Sequence, residues 1–186
     1  MTDKQNPPVS TRRGDDGTTT LLGSGRMSKK DARIIALGDV DEASSFLGLA
    51  RAEVGEAEVG MSALLIELQR LLYRVMGDIA MPNEPNVVGR SDIEHLDAAL
   101  EGWRNRTEIP KEFVVPGESR LGALLDVARS VVRRAERSLV AAGYAEEHPH
   151  ALKAVNRLSD LLFVVARHAD GKISLSKGSV ESQNPA

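Results

Sequence analysis

The sequence predicts an all-α protein built as a five-helix up-and-down bundle. Apolar residues recur at intervals of three and four through five stretches, short segments connect these stretches, and none shows a convincing strand alternation. Aromatic residues make up only 3% of the chain, so we expect aliphatic side chains to form the core. The length of 186 residues suits one domain.

The first two predicted helices are defined by their apolar stripes. The first runs from about Arg33 to Val54 and the second from about residue 61 to residue 79. The first stripe contains Leu37, Val40, Ala43, Leu47 and Ala50, and the second contains Met61, Leu64, Leu65, Leu68, Leu71, Leu72, Val75, Met76 and Ile79. Both stretches are typical of amphipathic helices.

The other three predicted helices carry signals at their ends. The third opens on Ser91, with Glu94 at the spacing of a capping box. The fourth runs from about Ser119 to Ala142, and Gly143 follows at the position of a C-terminal cap. The fifth runs from about Pro149, a favoured first-turn residue, to Ala169.

The two ends of the chain differ from its body. Residues 1–10 and 171–186 are polar and rich in Ser, Lys, Gly and Pro, which predicts disordered tails around a body at 11–170. The chain has no cysteine and no apolar run of the ~20 residues that span a bilayer. Its net charge of -3 gives no bulk basic surface for nucleic acid or membrane. We therefore expect a cytoplasmic protein that binds neither.

Polar residues flank the core stripes of the fourth and fifth predicted helices. Arg129, Arg133 and Glu136 fall on one face of the fourth helix. Asn156 and Asp160 lie one turn apart on the narrow polar strip of the fifth. A solvated helix face with internal ion pairs also explains the first group, and a polar seam between helices also explains the second.

The segment TRRGDDGTTTLLGSGR at 11–26 suits neither a helix interior nor a buried strand. Its glycines and threonines supply backbone N–H groups and hydroxyls, and its arginines supply forked donors, which together suit a polyphosphate. No G-x-x-x-x-G-K-[ST] motif is present. A mobile tail is the alternative interpretation. The residues alone therefore predict an anion-binding loop and a basic helix face without identifying the ligand.

Other kinds of site lack their usual patterns. The chain has no cysteine nucleophile and no G-x-S-x-G elbow. His148 and His150 flank a proline at a helix start, where a turn is favoured over a metal site.

Six motifs occur in the order and at nearly the spacing found in one protein family. They are TRRGDDGTT at 11–19, SKKDAR at 28–33, GDVDE at 38–42, FVVPG at 113–117, VARSVVRRAER at 127–137 and NRLSDLLFVVAR at 156–167. Over about residues 10–170 the chain resembles the PduO-type ATP:cob(I)alamin adenosyltransferases. The resemblance implies a ferritin-like, cobalamin adenosyltransferase-like bundle of five helices, assembled as a homotrimer with each active site between adjacent subunits. The activity implied is transfer of the 5′-deoxyadenosyl group of ATP to the cobalt of cob(I)alamin, which releases triphosphate.

The resemblance also implies roles for individual residues. Residues 11–32 form a lid over ATP. The residues implied in catalysis are Arg129, Arg133, Asp41 and Phe113. Among these, Arg133 holds triphosphate, Asp41 pairs with Arg129 across the subunit boundary, and Phe113 lies on the corrinoid side. The ATP-binding set is Thr11, Arg12, Gly14, Asp15, Gly17, Thr18, Thr19, Lys29, Arg133, Glu136, Arg137, Asn156 and Asp160. Mg²⁺ is expected to be held mainly by the phosphates, and a reductase and a B12-dependent enzyme are expected as further partners.

Four positions depart from the family pattern. Arg13, Leu37, Glu118 and Asp126 stand where threonine, tyrosine, glycine and histidine are usual. The last two lie near the corrinoid side. An alternative function is therefore a non-catalytic relative that binds ATP or adenosylcobalamin as a carrier or sensor, and a purely structural bundle is a weaker alternative.

Overall fold

The computed structural model describes residues 12–22 and 25–176. These ranges contain a two-stranded antiparallel sheet and six α-helices: β1 (Thr18–Thr20), β2 (Arg26–Ser28), α1 (Ala32–Ala52), α2 (Val59–Ala80), α3 (Arg90–Arg104), α4 (Arg120–Ala141), α5 (Tyr144–Glu147) and α6 (Pro149–Asp170). The prediction of five helices is wrong because α5 is a single turn, too short to show a helical repeat. The small sheet was missed for the same reason, since each strand has only three residues.

The five long helices match the five predicted stretches and pack side by side. Their order across the bundle is α2, α1, α4, α6 and α3, with a smaller contact between α2 and α6. Aliphatic side chains fill the core, and the largest fully buried ones include Leu47, Leu65, Leu72, Ile79, Leu125, Leu139, Leu158, Leu161 and Leu162. Burial of each such side chain contributes about 1.5–3 kcal/mol. This packing places α4 and α6, which carry most of the predicted polar site residues, in contact at the centre.

Helix ends that the sequence marked clearly are confirmed. The Ser119 hydroxyl accepts a hydrogen bond from the Gly122 N–H at 2.9 Å and caps α4. Gly143 follows α4 with a φ of 87°, a left-handed conformation that glycine adopts without strain. Pro149 occupies the first turn of α6.

The capping box predicted from Ser91 and Glu94 is wrong. The helix begins at Arg90, and the Asp92 carboxylate accepts from the Gly89 N–H at 2.9 Å. Glu94 instead accepts a hydrogen bond from the Arg90 Nε at 2.8 Å. Both Asp92 and Glu94 could accept a backbone hydrogen bond at the start of this helix. The capping-box spacing pointed to Glu94, whereas Asp92 forms the bond.

Residues 171–176 continue past α6 and pair with the loop before α4. The Val115 N–H donates to the Ser174 carbonyl, and the Ser176 N–H donates to the Phe113 carbonyl, both at 2.8 Å. Residues 174 and 176, which fall within the tail predicted at 171–186, thus form backbone hydrogen bonds to this loop. The other tail residues, 1–10 and 177–186, lie outside the described residues.

Within the described ranges, no helix combines the length and apolar character required to cross a membrane.

Candidate functional site

The glycine- and threonine-rich segment forms a hairpin. The side chain of Arg26, on β2, contacts β1 and the loop before it. Thr19 on β1 lies opposite Met27 on β2. The Arg26 guanidinium donates to the Arg13 carbonyl at 2.7 Å, to both Asp16 carboxylate oxygens at 2.9 Å, and to the Thr18 hydroxyl. Sequence reasoning missed Arg26, because nothing in its spacing links it to residues ten or more positions earlier.

Asp16 and Lys29 shape the loop at the base of this hairpin. Hydrogen bonds from the Thr18 hydroxyl and N–H, at 2.7 and 3.0 Å, lower the pKa of Asp16, and Arg26 adds to this effect. The Lys29 ammonium donates to the Gly14 carbonyl at 2.8 Å, and the Lys29 N–H donates to the Gly17 carbonyl at 2.9 Å. The structure therefore brings a lysine to the glycines of the predicted lid.

The other predicted lid residues make fewer contacts within the chain. Arg12 and Asp15 are exposed, and Arg12 has a positive φ of 55°. Thr19 is half-buried on β1. Thr11 lies outside the described residues.

A basic cluster lies between α4 and α6. Arg133 and Arg137 are exposed one turn apart, and an Arg137 terminal nitrogen donates to the Arg133 carbonyl at 2.9 Å. The Asn156 amide on α6 donates to the Glu136 carboxylate at 2.9 Å. A cavity of about 330 Å³ is lined by Arg133, Glu136, Arg137 and Val140. The structure thus groups four of the predicted nucleotide-binding residues. Asp160 is exposed one turn further along α6, 3.9 Å from an Arg157 nitrogen.

A second cavity, of about 370 Å³, lies beside Phe113. Its lining contains Lys111, Glu112, Phe113, Val114, Pro116, Asp126, Arg129 and Phe163. The Phe113 side chain is 86% exposed, an unusual position for a large apolar ring in a folded chain. The Arg129 guanidinium lies 6.0 Å from the centre of the Phe163 ring. Phe163 was not among the predicted site residues because it falls within an apolar run of α6.

Asp126 is a buried residue in the lining of the Phe113 cavity. Its carboxylate accepts from the Arg129 Nε at 3.1 Å and from a terminal nitrogen of Arg167. Arg167, which is buried, also pairs with Asp170 at 3.0 Å. The sequence marked Asp126 as a departure from the family pattern but did not identify these partners.

Asp41 is exposed on α1, and among the described residues its carboxylate has no hydrogen-bond or ion-pair partner. Within one chain, Arg129 pairs with Asp126 instead. The neighbours of Asp41 contact a different arginine, because Arg134 pairs with Asp39 at 3.4 Å and with Glu42. Arg134 was also missed by sequence reasoning.

The remaining departures from the family pattern make few contacts. Arg13 and Glu118 are exposed, and Leu37 packs partly buried against the core. Gly117, just before Glu118, has a φ of 115°, so the turn after FVVP requires a glycine there.

Most of the predicted site residues thus form three groups within one chain: the hairpin loop, the basic cluster on α4 and α6, and the Phe113 cavity. Asp41 lies outside all three. In the part of the chain that the structure describes, no hydrogen bond or ion pair joins the hairpin to the basic cluster. In the same part, no group of three or more His, Asp and Glu side chains is arranged to hold a metal ion.

The sequence of the chain is similar to those of known proteins. The profile of the cobalamin adenosyltransferase family matches residues 9–169. A corrinoid adenosyltransferase from Mycobacterium tuberculosis strain H37Rv is 39% identical over 173 residues, which cover 87% of this chain and 88% of that protein. A corrinoid adenosyltransferase from Bacillus subtilis strain 168 is 35% identical over 182 residues, which cover 95% of this chain and 92% of that protein.

The fold also matches solved structures. A variant of a PduO-type ATP:corrinoid adenosyltransferase from Lactobacillus reuteri, complexed with cobalamin and ATP, superposes with a TM-score of 0.83 at 29% identity and covers 92% of this chain and 100% of that one. A second variant of that enzyme, also complexed with cobalamin and ATP, superposes with a TM-score of 0.85 at 29% identity and covers 91% and 97%. The chain belongs to the cobalamin adenosyltransferase family.

Proposed function

We propose that this protein is an ATP:corrinoid adenosyltransferase. It transfers the 5′-deoxyadenosyl group of ATP to the cobalt of cob(I)alamin and releases triphosphate. The basic cluster carries the proposal, because Arg133 and Arg137 present two cations beside the hydrogen-bonded Glu136 and Asn156 pair. The relatives named corrinoid adenosyltransferases, and the Lactobacillus reuteri structures with cobalamin and ATP, support the same activity.

The reaction needs positioning and charge neutralisation more than a base. The electron pair of cob(I)alamin forms the new bond from cobalt to C5′, while the C5′–O bond breaks and its electron pair leaves with triphosphate. The protein must therefore hold C5′ in line with cobalt and neutralise the departing phosphates. Arg133 and the Lys29 ammonium are cations suited to that second role. Mg²⁺ would accompany ATP as part of the substrate and would supply further positive charge beside the phosphates.

Phe113 is proposed to act on the corrinoid side. An exposed aromatic ring in the lining of a partly apolar cavity can occupy the space of the lower cobalt ligand and keep it displaced. Loss of that ligand disfavours the more highly coordinated oxidised cobalt, so reduction to the nucleophilic state becomes easier.

The active site is proposed to form between adjacent subunits of a homotrimer. The hairpin lid and the basic cluster lie on different elements of one chain, and Asp41 is exposed and available to a neighbouring copy. Assembly would pair Asp41 with Arg129 and bring the three groups of site residues around one substrate pair.

The activity is tested by mixing the protein with chemically reduced cobalamin and MgATP without oxygen and following the absorbance. The proposal predicts the spectrum of adenosylcobalamin, dependent on both protein and ATP. Calorimetric binding of ATP without any product would instead support the alternative function, a non-catalytic carrier or sensor, for which the departures at Glu118 and Asp126 give a specific reason.

A further inference from the structure

Among the described residues, Asp126 is the one carboxylate within ion-pair distance of Arg129. The two side chains lie one turn apart on α4, and the carboxylate accepts from the Arg129 Nε at 3.1 Å. The Asp126 side chain is 5% exposed and that of Arg129 is 27% exposed, so the contact is largely shielded from water. Both residues line the Phe113 cavity.

The two arginines that contact Asp126 depend on it to different degrees. Arg167 has a second carboxylate partner, Asp170, at 3.0 Å. Over the described residues, Asp126 is the only acceptor for the Arg129 guanidinium, and no hydrogen bond engages the two terminal nitrogens of Arg129. Loss of the Asp126 charge should therefore release Arg129 while Arg167 stays paired.

Arg167 and Asp170, which form a buried cluster with Asp126, make further contacts. The Asp170 carboxylate accepts from both the N–H and the hydroxyl of Ser119, the residue that caps α4, at 3.1 and 3.0 Å. Gly122 lies so close to Asp170 that a Cβ atom there would collide with the carboxylate. Asp126 is therefore tied through Arg167 to the start of α4 and the end of α6.

We propose that Asp126 is a positioning residue for Arg129. It binds Nε and so fixes the orientation of the guanidinium, which leaves both terminal nitrogens available for the substrates or for Asp41 of an adjacent subunit. This inference rests on the proposed function, in which Arg129 acts at the adenosyl-transfer site. Without such a role, Asp126 would serve only to hold α4 against α6 through Arg167.

A double-mutant cycle separates positioning from mere stabilisation. Asp126→Asn keeps the shape of the side chain and removes its charge. We expect it to lower kcat for adenosyl transfer about tenfold or more, with little change in the KM for ATP. In an Arg129→Ala background the same substitution should lower kcat no further, because its effect passes through Arg129. Additive losses in the two backgrounds would overturn the proposal.

Asp170→Asn is the matched control. It removes a carboxylate from the same buried cluster without touching Arg129, so it should lower the melting temperature while keeping kcat near the wild-type value. An equal loss of kcat in this variant would mean that general damage to the cluster, rather than the orientation of Arg129, explains the effect of Asp126→Asn. If Asp126→Asn does not fold, Asp126→Glu keeps the charge and displaces the carboxylate, and the same cycle applies.

A spectroscopic measurement tests the contact independently of turnover. The Nε–H resonance of Arg129, identified by its loss in Arg129→Lys, should be protected from solvent exchange in the wild type and in Asp170→Asn. It should exchange faster in Asp126→Asn, because a neutral amide oxygen is a weaker acceptor for the charged guanidinium than a carboxylate. An unchanged resonance in Asp126→Asn would refute the positioning contact, whereas a wild type with the protected resonance but no turnover would refute the proposed function alone.

Discussion

Arg133 and Arg137 present their charges on an exposed face of α4, where nothing in the described chain neutralises them except Glu136 nearby. Glu136 is already engaged by the Asn156 amide at 2.9 Å. Two cations beside one occupied carboxylate form a local positive site on a chain whose net charge is -3. Such a site suits a polyanion, and triphosphate is the polyanion that the proposed reaction releases.

Replacement of Arg133 should affect activity far more than stability. Arg133→Ala removes a charge-assisted contact to phosphate, so kcat/KM for ATP should fall about tenfold or more. The side chain is exposed, so the melting temperature should barely change. Initial rates and thermal melts of the purified variant measure both.

Arg120→Ala provides the control for that prediction. Arg120 lies on the same helix with a side chain 81% exposed, and among the described residues its one ion-pair partner is Glu53, at 3.3 Å. It should keep wild-type kinetics. A melting loss in Arg133→Ala with unchanged kinetics would show that Arg133 is a structural residue.

We expect Arg26 to act through the shape of the predicted lid. Arg26→Ala removes the contacts to Asp16, Thr18 and the Arg13 carbonyl. The loop is then no longer held in shape, and the free energy needed to order it lowers the affinity for ATP. Because these contacts are exposed, we expect the KM for ATP to rise only about two- to fivefold. Arg90→Ala, which removes an exposed arginine paired with Glu94 on α3, should leave the KM unchanged. Steady-state kinetics of both variants decide whether Arg26 has this role.

At the scale of elements, the sequence specified the long helices well and the short elements poorly. Apolar stripes many turns long located all five long helices, and Ser119, Gly143 and Pro149 marked ends that the structure confirms. Neither α5 nor the hairpin was predicted, because a single turn and strands of three residues carry too little periodicity. The contacts of Asp126 with Arg167 and of Arg134 with Asp39 were also missed, since they join residues far apart in the sequence.

The single turn α5 is anchored by Tyr144. Its ring is fully buried and stacks on His148 with ring centres 4.7 Å apart, and its hydroxyl donates to the Ile79 carbonyl at 3.3 Å. Burial, which disfavours the charged form, raises the pKa of Tyr144 to about 12. The neutral phenol thus joins α5 to the end of α2.

This raised pKa predicts a loss of stability at alkaline pH. In the unfolded chain Tyr144 titrates near its ordinary value of 10.0, so the folded state holds the proton more tightly than the unfolded state. The neutral Tyr144 therefore contributes stability to the folded state that is fully present below about pH 10. This stability is lost as the pH rises towards about 12. Tyr144→Phe should therefore show a weaker decline of melting temperature over this range than the wild type.

Tyr73→Phe is the control for the alkaline measurement, since the Tyr73 side chain on α2 is exposed. It should follow the wild-type decline. Identical pH dependence in the wild type and both variants would contradict the account of Tyr144.

At the scale of the whole molecule, one chain holds its site residues in separate groups. The Leu22 side chain at the end of the hairpin lines a small cavity with residues 81–84, after α2, whereas the basic cluster lies on α4 and α6. The sequence motifs predicted a site shared between adjacent subunits, and within one chain the predicted site residues lie in separate groups. An assembly in which adjacent subunits complete each site would bring these separate groups together.

Asp41 gives a direct test of that assembly. If Asp41 pairs with Arg129 of an adjacent subunit and becomes buried there, Asp41→Ala should weaken the trimer at least about tenfold and lower activity, while the helical content stays intact. Sedimentation velocity and circular dichroism measure the two properties. Glu101→Ala, which removes an exposed carboxylate on α3, should leave assembly and activity unchanged. A fully active, undiminished trimer of Asp41→Ala would refute the pairing.

The measurement that tests the central claim most directly is the ratio of products in one anaerobic reaction of the protein with cob(I)alamin and MgATP. Adenosyl transfer predicts one triphosphate for each adenosylcobalamin formed, with both products formed about tenfold or more slowly in Arg133→Ala. Release of phosphate or diphosphate without adenosylcobalamin would identify a different use of ATP and contradict the proposed function.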